Sequence, residues 1–232
     1  IGVAEDHVEV AVVVEVAHRR VRCLERARED DVEVLVEAAV AGRGVSDRPP
    51  TGWPTTGRGM NARAVAARTL GQVLGEGRSL ATALPLALEH ADSRDRGLLR
   101  ELCYGVCRWQ PRLQALLDRL LARPLASGEQ VVRALLLIGL YQLWYLRIPE
   151  HAAVAETVAA ARQLRKAWAV GLTNAVLRAA LRRRMELTGA LESDPEARAA
   201  HPCWLLEWLR RDWPDDWSAI VAGLGLQGPA GQ

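Results

Sequence analysis

From Asn61 onward, the chain repeats apolar residues every three or four positions, which is the spacing of an amphipathic helix. No segment in this part of the sequence alternates apolar and polar residues as a half-buried strand does. Asn61 can cap the first helix. Other residues that cap or interrupt helices, such as Ser79, Pro111 and Pro149, separate the later apolar segments. The pattern predicts an all-α fold, a bundle of about seven helices followed by a C-terminal helical extension.

The fifth predicted helix, over about residues 128–146, is apolar on almost every side. A helix without a charged face belongs in the interior, so we expect it at the centre of the fold. Ser127 and Gln130 have the spacing of a capping box for its first turn. Its longest uncharged run, residues 134–146, is too short to cross a bilayer. We therefore interpret it as a core helix and expect no membrane contact.

The first 59 residues differ in composition from the rest of the chain. Val and Glu alternate in several places, and a segment rich in Pro, Gly and Thr leads up to Met60. This part holds 8 Arg against 11 Asp and Glu, whereas residues 60–232 hold 22 basic and 17 acidic residues. We expect residues 1–59 to be a non-homologous extension or upstream sequence translated in error, and disordered in part. A small accessory strand or helix pair is the alternative.

The four cysteines, Cys23, Cys103, Cys107 and Cys203, show neither disulfide spacing nor a metal-binding motif. Cys103 and Cys107 lie four positions apart on one helical face, which is typical of core packing. The N-terminus lacks the basic, apolar and small-residue order of a signal peptide. We therefore expect no metal site and a cytoplasmic location.

Four segments of the helical part carry a specific resemblance. They are ELCYGVCRW from Glu101, LLARPLAS from Leu120, GLYQLWYLRIPEHAAVAETVAAA from Gly139 and GLTNAVLR from Gly171. Together they resemble the NusB-like family of RNA-binding helical domains. That family includes free-standing transcription antitermination factors and the N-terminal domains of 16S ribosomal RNA cytosine-C5 methyltransferases of the RsmB family. The segment HPCWLLEWLRRDWPDDWSAIVAG from His201 resembles the connection to the catalytic part of these methyltransferases, and it favours them.

The resemblance implies an RNA-binding domain over residues 60–186 and a helical linker toward a methyltransferase domain over residues 187–232. It implies that the whole protein uses S-adenosylmethionine to methylate one cytosine of small-subunit ribosomal RNA. We identify neither a Gly-rich turn for that cofactor nor the family's two cysteine motifs, so Cys103, Cys107 and Cys203 receive no catalytic role. The fragment alone is expected to be inactive and to bind no cofactor.

The expected partners are small-subunit ribosomal RNA and the missing catalytic domain of the same chain. Two alternatives stay open at this point. One is an antitermination factor that binds RNA and a ribosomal protein. The other is a purely structural helical module that steadies the catalytic domain.

Basic side chains on the predicted helices are the candidate RNA contacts, because arginine forks can hold phosphate oxygens. One group lies on or just before the seventh helix, predicted over about residues 167–185, and a second lies on the first helix. The candidates are Arg178, Arg182, Arg183, Arg165, Lys166, Arg63 and Arg68. The first group could instead be a solvated helix end that complements the macrodipole. The second adjoins further arginines at the third helix, which Asp92, Asp95 and Glu101 could neutralise.

Four tryptophans, Trp204, Trp208, Trp213 and Trp217, follow the seventh helix. Their unequal spacing places them on no single helical stripe. We expect them to pack against the helical core or the absent catalytic domain rather than to stack on RNA bases.

Overall fold

The computed structural model describes residues 60–223, and the expectation for residues 1–59 lies outside this part. Within it the chain forms eleven α-helices and no strand, which confirms the all-α prediction. The helices are α1 (Ala62–Glu76), α2 (Leu80–Glu89), α3 (Arg96–Arg108), α4 (Gln110–Leu120), α5 (Gln130–Tyr145), α6 (Glu150–Gln163), α7 (Ala167–Arg182), α8 (Arg184–Glu192), α9 (Pro195–Ala199), α10 (Cys203–Asp212) and α11 (Trp217–Gly223). A short 3₁₀ helix, Ser93–Asp95, precedes α3.

Helix α5 is the central element of the fold. Four consecutive side chains, from Leu135 to Ile138, have no solvent exposure, and α1, α3, α4, α6 and α7 surround them. Full burial of one leucine stabilises a fold by about 1.5–3 kcal/mol, so this run supplies much of the driving force. The prediction of a central core helix is confirmed. None of the helices in residues 60–223 is long and apolar enough to span a membrane.

The first and fifth helices begin in different ways. In α1 the Asn61 side chain accepts a hydrogen bond of 2.9 Å from the Arg63 amide, as predicted. Helix α5 begins at Gln130, and Glu129 occupies its N-cap position. No side chain forms a capping hydrogen bond there. Gln130 Nε2 instead donates to the Ser127 carbonyl oxygen at 2.8 Å. The predicted capping box is therefore wrong, because Ser127 precedes the N-cap position and lies too far from the first turn.

Helix α7 ends earlier than predicted. The backbone of Arg183 leaves the helical region at φ −100° and ψ 16°, and α8 begins at Arg184. The break directs Leu187 and Leu191 of α8 into the core, where both are buried. The predicted extension to residue 185 is wrong, because tertiary packing rather than helix propensity sets this boundary.

The buried face of α7 contains Leu177, which has no solvent exposure, whereas Ala175 is exposed. Leu177 packs against Gly139 of α5, where an added Cβ would lie 2.7 Å from Leu177 Cδ2. Glycine at this position lets α5 and α7 approach closely. The buried residues of α7 are Ala169, Thr173, Val176, Leu177 and Ala180.

The core continues beyond the expected domain boundary at residue 186. Helices α8 and α9 pack against α4. An ion pair of 2.6 Å joins Arg112 on α4 to Glu192 at the end of α8. The buried cluster that surrounds α5 also includes Leu187, Leu191, Ala197 and Ala200. These two short helices are therefore part of the same folded unit as α1 to α7.

Candidate RNA-binding surface

Arg178 and Arg182 lie on the exposed side of α7, away from its buried face. They are four residues apart, so they share one side of the helix. Arg178 Nε donates to Asn174 Oδ1 at 3.0 Å. Within residues 60–223, no carboxylate lies within 4.0 Å of either guanidinium group. These two side chains can therefore accept an anionic ligand without first losing an ion pair.

The next two arginines each have a carboxylate partner. Arg183 forms an ion pair of 2.7 Å with Glu186. Their hydrogen bond raises the pKa of Arg183 and lowers the pKa of Glu186. Arg184, now the first residue of α8, pairs with Glu150 at 3.1 Å. The positive charge beyond the end of α7 is thus partly neutralised.

Arg68, Arg165 and Lys166 lie at the other end of α7 from Arg182. A helix of 16 residues is about 24 Å long, so the seven candidates do not form one compact patch. Burial lowers the pKa of Arg68, and the nearby charge of Arg165 lowers it further. Neither arginine has a carboxylate within 4.0 Å in the described part of the chain. Lys166 Nζ is bound to Glu129 Oε2 at 2.8 Å, which leaves the two arginines as the available charges.

Arg63 is held inside the fold by a polar network. It is 8% exposed, and its Nε donates to Gln142 Oε1 at 2.7 Å. Gln142 Nε2 donates to the Thr157 hydroxyl at 3.1 Å, and a Glu156 carboxylate oxygen lies 4.0 Å from the Arg63 guanidinium. The network joins α1, α5 and α6. A phosphate group that bound this arginine would compete with these contacts.

A row of exposed residues runs along α7, and it contains an aromatic side chain that was not among the candidates. Trp168, in the first turn, is 51% exposed. Positions Trp168, Gly171, Ala175, Arg178 and Arg182 follow one another at spacings of three or four and are all exposed. We call them the α7 row. This spacing can be read from the sequence. The row was not recognised there because the glycine and alanine between the tryptophan and the arginines do not mark an exposed face.

Two cysteines of residues 60–223, Cys103 and Cys203, lack the environment of a nucleophile. Cys103 is fully buried, and burial raises its pKa. Cys203 follows Pro202 at the start of α10, and burial together with the carboxylate of Glu196 raises its pKa as well. A catalytic thiol needs the opposite shift.

The described residues also do not fit a metal or S-adenosylmethionine. No cluster of three or more His, Cys, Asp or Glu residues in residues 60–223 could hold a metal ion. Because this part forms no strand, it has no Gly-rich strand-to-helix turn of the kind that would hold S-adenosylmethionine. The exposed side of α7, which carries Arg178 and Arg182, is the candidate site.

Two tryptophans leave an apolar surface on the C-terminal helices. Trp208 and Trp213 are 42% and 44% exposed. Their rings meet edge to face, with centroids 5.8 Å apart. The guanidinium of Arg210 lies 4.3 Å from the ring centre of Trp217. No residue in the described part of the chain covers the rings of Trp208 and Trp213 completely.

Comparison with known proteins finds several relatives that carry one name. Over 170 residues the chain is 50% identical to "Ribosomal RNA small subunit methyltransferase B" of Pseudomonas putida. The aligned segment covers 73% of this chain and 39% of that protein. The Vibrio cholerae protein of the same name is 44% identical over 170 residues, and the aligned segment covers 73% of this chain and 39% of that protein. The Escherichia coli protein of that name is 41% identical over 161 residues, and the aligned segment covers 69% of this chain and 37% of that protein.

The chain thus spans 37% to 39% of the length of these three curated relatives. The sequence profile of the NusB family matches residues 60–182. That match begins just before α1 and ends with the last residue of α7, so it includes the central helix α5 and the whole α7 row. By this profile and by its all-α architecture, the chain belongs to the NusB family.

Proposed function

We propose that this chain is the RNA-binding N-terminal part of an S-adenosylmethionine-dependent 16S ribosomal RNA cytosine-C5 methyltransferase. Membership of the NusB family supports the RNA-binding role. The relatives carry the name of a small-subunit ribosomal RNA methyltransferase, and the chain matches less than half of each. Both facts support a role as one part of a longer enzyme. This part holds the RNA while the catalytic part methylates one cytosine.

The charge of α7 is the observation that carries the RNA-binding proposal. The helix contains no Asp or Glu, and its exposed Arg178 and Arg182 have no carboxylate partner among residues 60–223. Arginine binds phosphate oxygens through two parallel hydrogen bonds, and contacts to the phosphate backbone dominate affinity for nucleic acid. We therefore assign the main phosphate contacts to these two side chains.

The other candidate residues divide by their surroundings. Arg68 and Arg165 extend the positive surface at the start of α7. Lys166 and Arg183 are secondary contacts, because RNA would have to compete with the carboxylate that each already binds. Arg63 stays outside the proposed surface because it is buried.

The partners of this part are small-subunit ribosomal RNA and the catalytic domain of the same protein, in the cytoplasm. We assign RNA binding to residues 60–186, with α8 and α9 completing the same core, and linkage to the catalytic domain to the chain beyond Ala200. Trp208 and Trp213 suit that linkage because they offer apolar area. S-adenosylmethionine belongs to the catalytic domain, since residues 60–223 do not fit it.

A transcription antitermination factor is the second candidate, because the matched profile is that of the NusB family as a whole. Reading the gene downstream of residue 232 separates the two. A continuous frame that encodes the Pro-Cys and Thr-Cys motifs of a methyltransferase domain supports the first proposal. A stop codon directly after residue 232 contradicts it and favours the antitermination factor.

RNA binding is tested with the full chain of 232 residues and a labelled fragment of small-subunit ribosomal RNA. The double variant Arg178→Ala, Arg182→Ala should bind more weakly. The slope of log affinity against log salt should fall by about 1.4 to 1.8, because each lost phosphate contact contributes about 0.7 to 0.9.

The control removes the same charge from another helix. Arg96 and Arg100 on α3 are also exposed and four residues apart. The double variant Arg96→Ala, Arg100→Ala should change neither the affinity nor the slope. Unchanged affinity in the α7 variant, or a larger loss in the α3 variant, contradicts the assignment to α7.

A further inference from the structure

Trp168 exposes half of a large apolar ring beside unpaired positive charge. It lies three residues after Arg165, so their Cα atoms are at most about 11 Å apart. Arg165 is itself close enough to Arg68 to lower the pKa of that residue. An exposed indole contributes little to the stability of the fold, yet its flat face and the neighbouring guanidinium groups suit one class of ligand.

The rest of the α7 row gives that ligand room. From Trp168 to Arg182 the row is about 21 Å long, at a rise of about 1.5 Å per residue. Its middle is formed by Gly171 and Ala175, and a Cβ added to Gly171 would meet nothing within 4 Å. An aromatic ring at one end and two guanidinium groups at the other are therefore joined by an open, uncharged surface.

We propose that the α7 row binds a single RNA strand, in which Trp168 stacks on an unpaired base while Arg178 and Arg182 hold phosphates further along. The proposal rests on the RNA-binding function proposed above and adds the structural class of RNA that is bound. An aromatic ring can stack on any base, but the base must be free of a duplex to offer its face. The small residues between the ends let the strand lie close to the helix.

The distribution of charge favours RNA over a protein as the occupant of this row. Unpaired arginines stand at both ends, and α7 carries no acidic residue. The exposed pair Trp208 and Trp213 has different surroundings. Residues 207–216 hold four carboxylates against two arginines, and Arg211 is paired with Asp212. This excess of negative charge disfavours a polyanion, which makes Trp208 a matched control for an exposed indole.

The experiment uses the full chain and a fluorescein-labelled single-stranded RNA of mixed sequence without self-complementarity. The same strand annealed to its complement is the second ligand. Trp168→Ala should weaken single-strand binding by about 5- to 150-fold, the range observed for one lost base stack. Trp168→Phe should retain most of the affinity. Duplex binding should change by less than about twofold, and Trp208→Ala should change neither affinity.

The outcomes separate this inference from the function on which it rests. If Arg178→Ala, Arg182→Ala weakens binding but Trp168→Ala does not, the stacking inference is overturned and RNA binding stands. If both ligands lose affinity equally in Trp168→Ala, the single-strand preference is wrong. If neither variant affects binding, the proposed function of α7 itself fails. Thermal melting of each variant shows whether a loss of affinity reflects a loss of fold.

Discussion

The backbone amide of Lys166 donates a hydrogen bond of 3.4 Å to the Ala161 carbonyl oxygen and closes the C-terminal end of α6. Within this turn the Arg165 amide donates to the Arg162 carbonyl oxygen at 3.0 Å, and Arg165 has a φ of 56°. This pair of bonds is the Schellman arrangement, in which glycine is the preferred residue at the left-handed position. The chain has arginine there, three residues before the α7 row begins at Trp168.

Arg165→Gly should therefore separate stability from binding. A residue with a Cβ pays about 1 kcal/mol for the left-handed conformation, and glycine does not. The melting temperature of the glycine variant should therefore rise by about 2–4 °C. Affinity for single-stranded RNA should fall, because a phosphate-binding guanidinium is lost. Ala200→Gly changes the other described non-glycine residue with a positive φ and should leave RNA binding unchanged. Increased stability with undiminished RNA affinity would remove Arg165 from the site.

Replacing either of two glycines on α3 with alanine should have opposite effects on stability, because their surroundings differ. An added Cβ at Gly105 would overlap the buried ring of Tyr141, whose hydroxyl donates to Glu101 Oε1 at 2.6 Å. Gly105→Ala should lower the free energy of unfolding by about 1–3 kcal/mol, because the ring must shift. At Gly97 a Cβ would meet nothing within 4 Å, so Gly97→Ala should stabilise the fold by up to about 1 kcal/mol. Urea unfolding measures both, and an equal response would contradict the close packing of α3 against α5.

The buried network around Arg63 predicts a loss of stability without a loss of RNA binding. Arg63→Met keeps the aliphatic stem but leaves the Gln142 oxygen without its donor, which should destabilise the fold by about 1–3 kcal/mol. Arg94→Met is the control, since that side chain is exposed and lies 3.8 Å from Asp92. It should change stability by less than about 0.5 kcal/mol. A marked drop in RNA affinity for folded Arg63→Met would return Arg63 to the binding surface.

Tyr145 predicts a specific sensitivity to alkaline pH. Burial raises the pKa of Tyr145 to about 12, and its hydroxyl has no hydrogen-bond partner in the described part of the chain. Unfolded tyrosine ionises near pH 10, so its contribution is fully present below that pH and is lost between about pH 10 and 12. Tyr145→Phe should be nearly neutral at pH 7 and should reduce the loss at pH 11 by about 1 kcal/mol. Urea midpoints at both values measure the difference, and an unchanged pH dependence would exclude Tyr145 as its source.

The elements that could be predicted are those whose sequence permits a single environment. A helix such as α5, with apolar residues from Leu135 to Ile138 on every side, has no face that water can solvate favourably. The start of α1 was equally well defined, because Asn61 can satisfy the free amides of the first turn. In both cases the cause lies within one helical segment.

The features that were missed depend on residues far apart in the chain. The break at Arg183 exists because α8 packs on α4, and nothing in the local sequence marks it. Arg63 was taken for a surface cation, but its partner Gln142 lies 79 residues further along. Trp168 had a local signal in its spacing with Arg178 and Arg182. That signal becomes informative once the buried face of α7 is known.

The burial of α8 and α9 determines where this domain can be joined to other proteins. The NusB family profile ends at residue 182, but Leu187, Leu191, Ala197 and Ala200 all lie in the core. A junction placed at residue 182 would remove these side chains and open the outer surface of α4 to water. Recombination in evolution and fusion by design therefore face the same restriction. Either transfers an intact hydrophobic interior when the crossover follows Ala200.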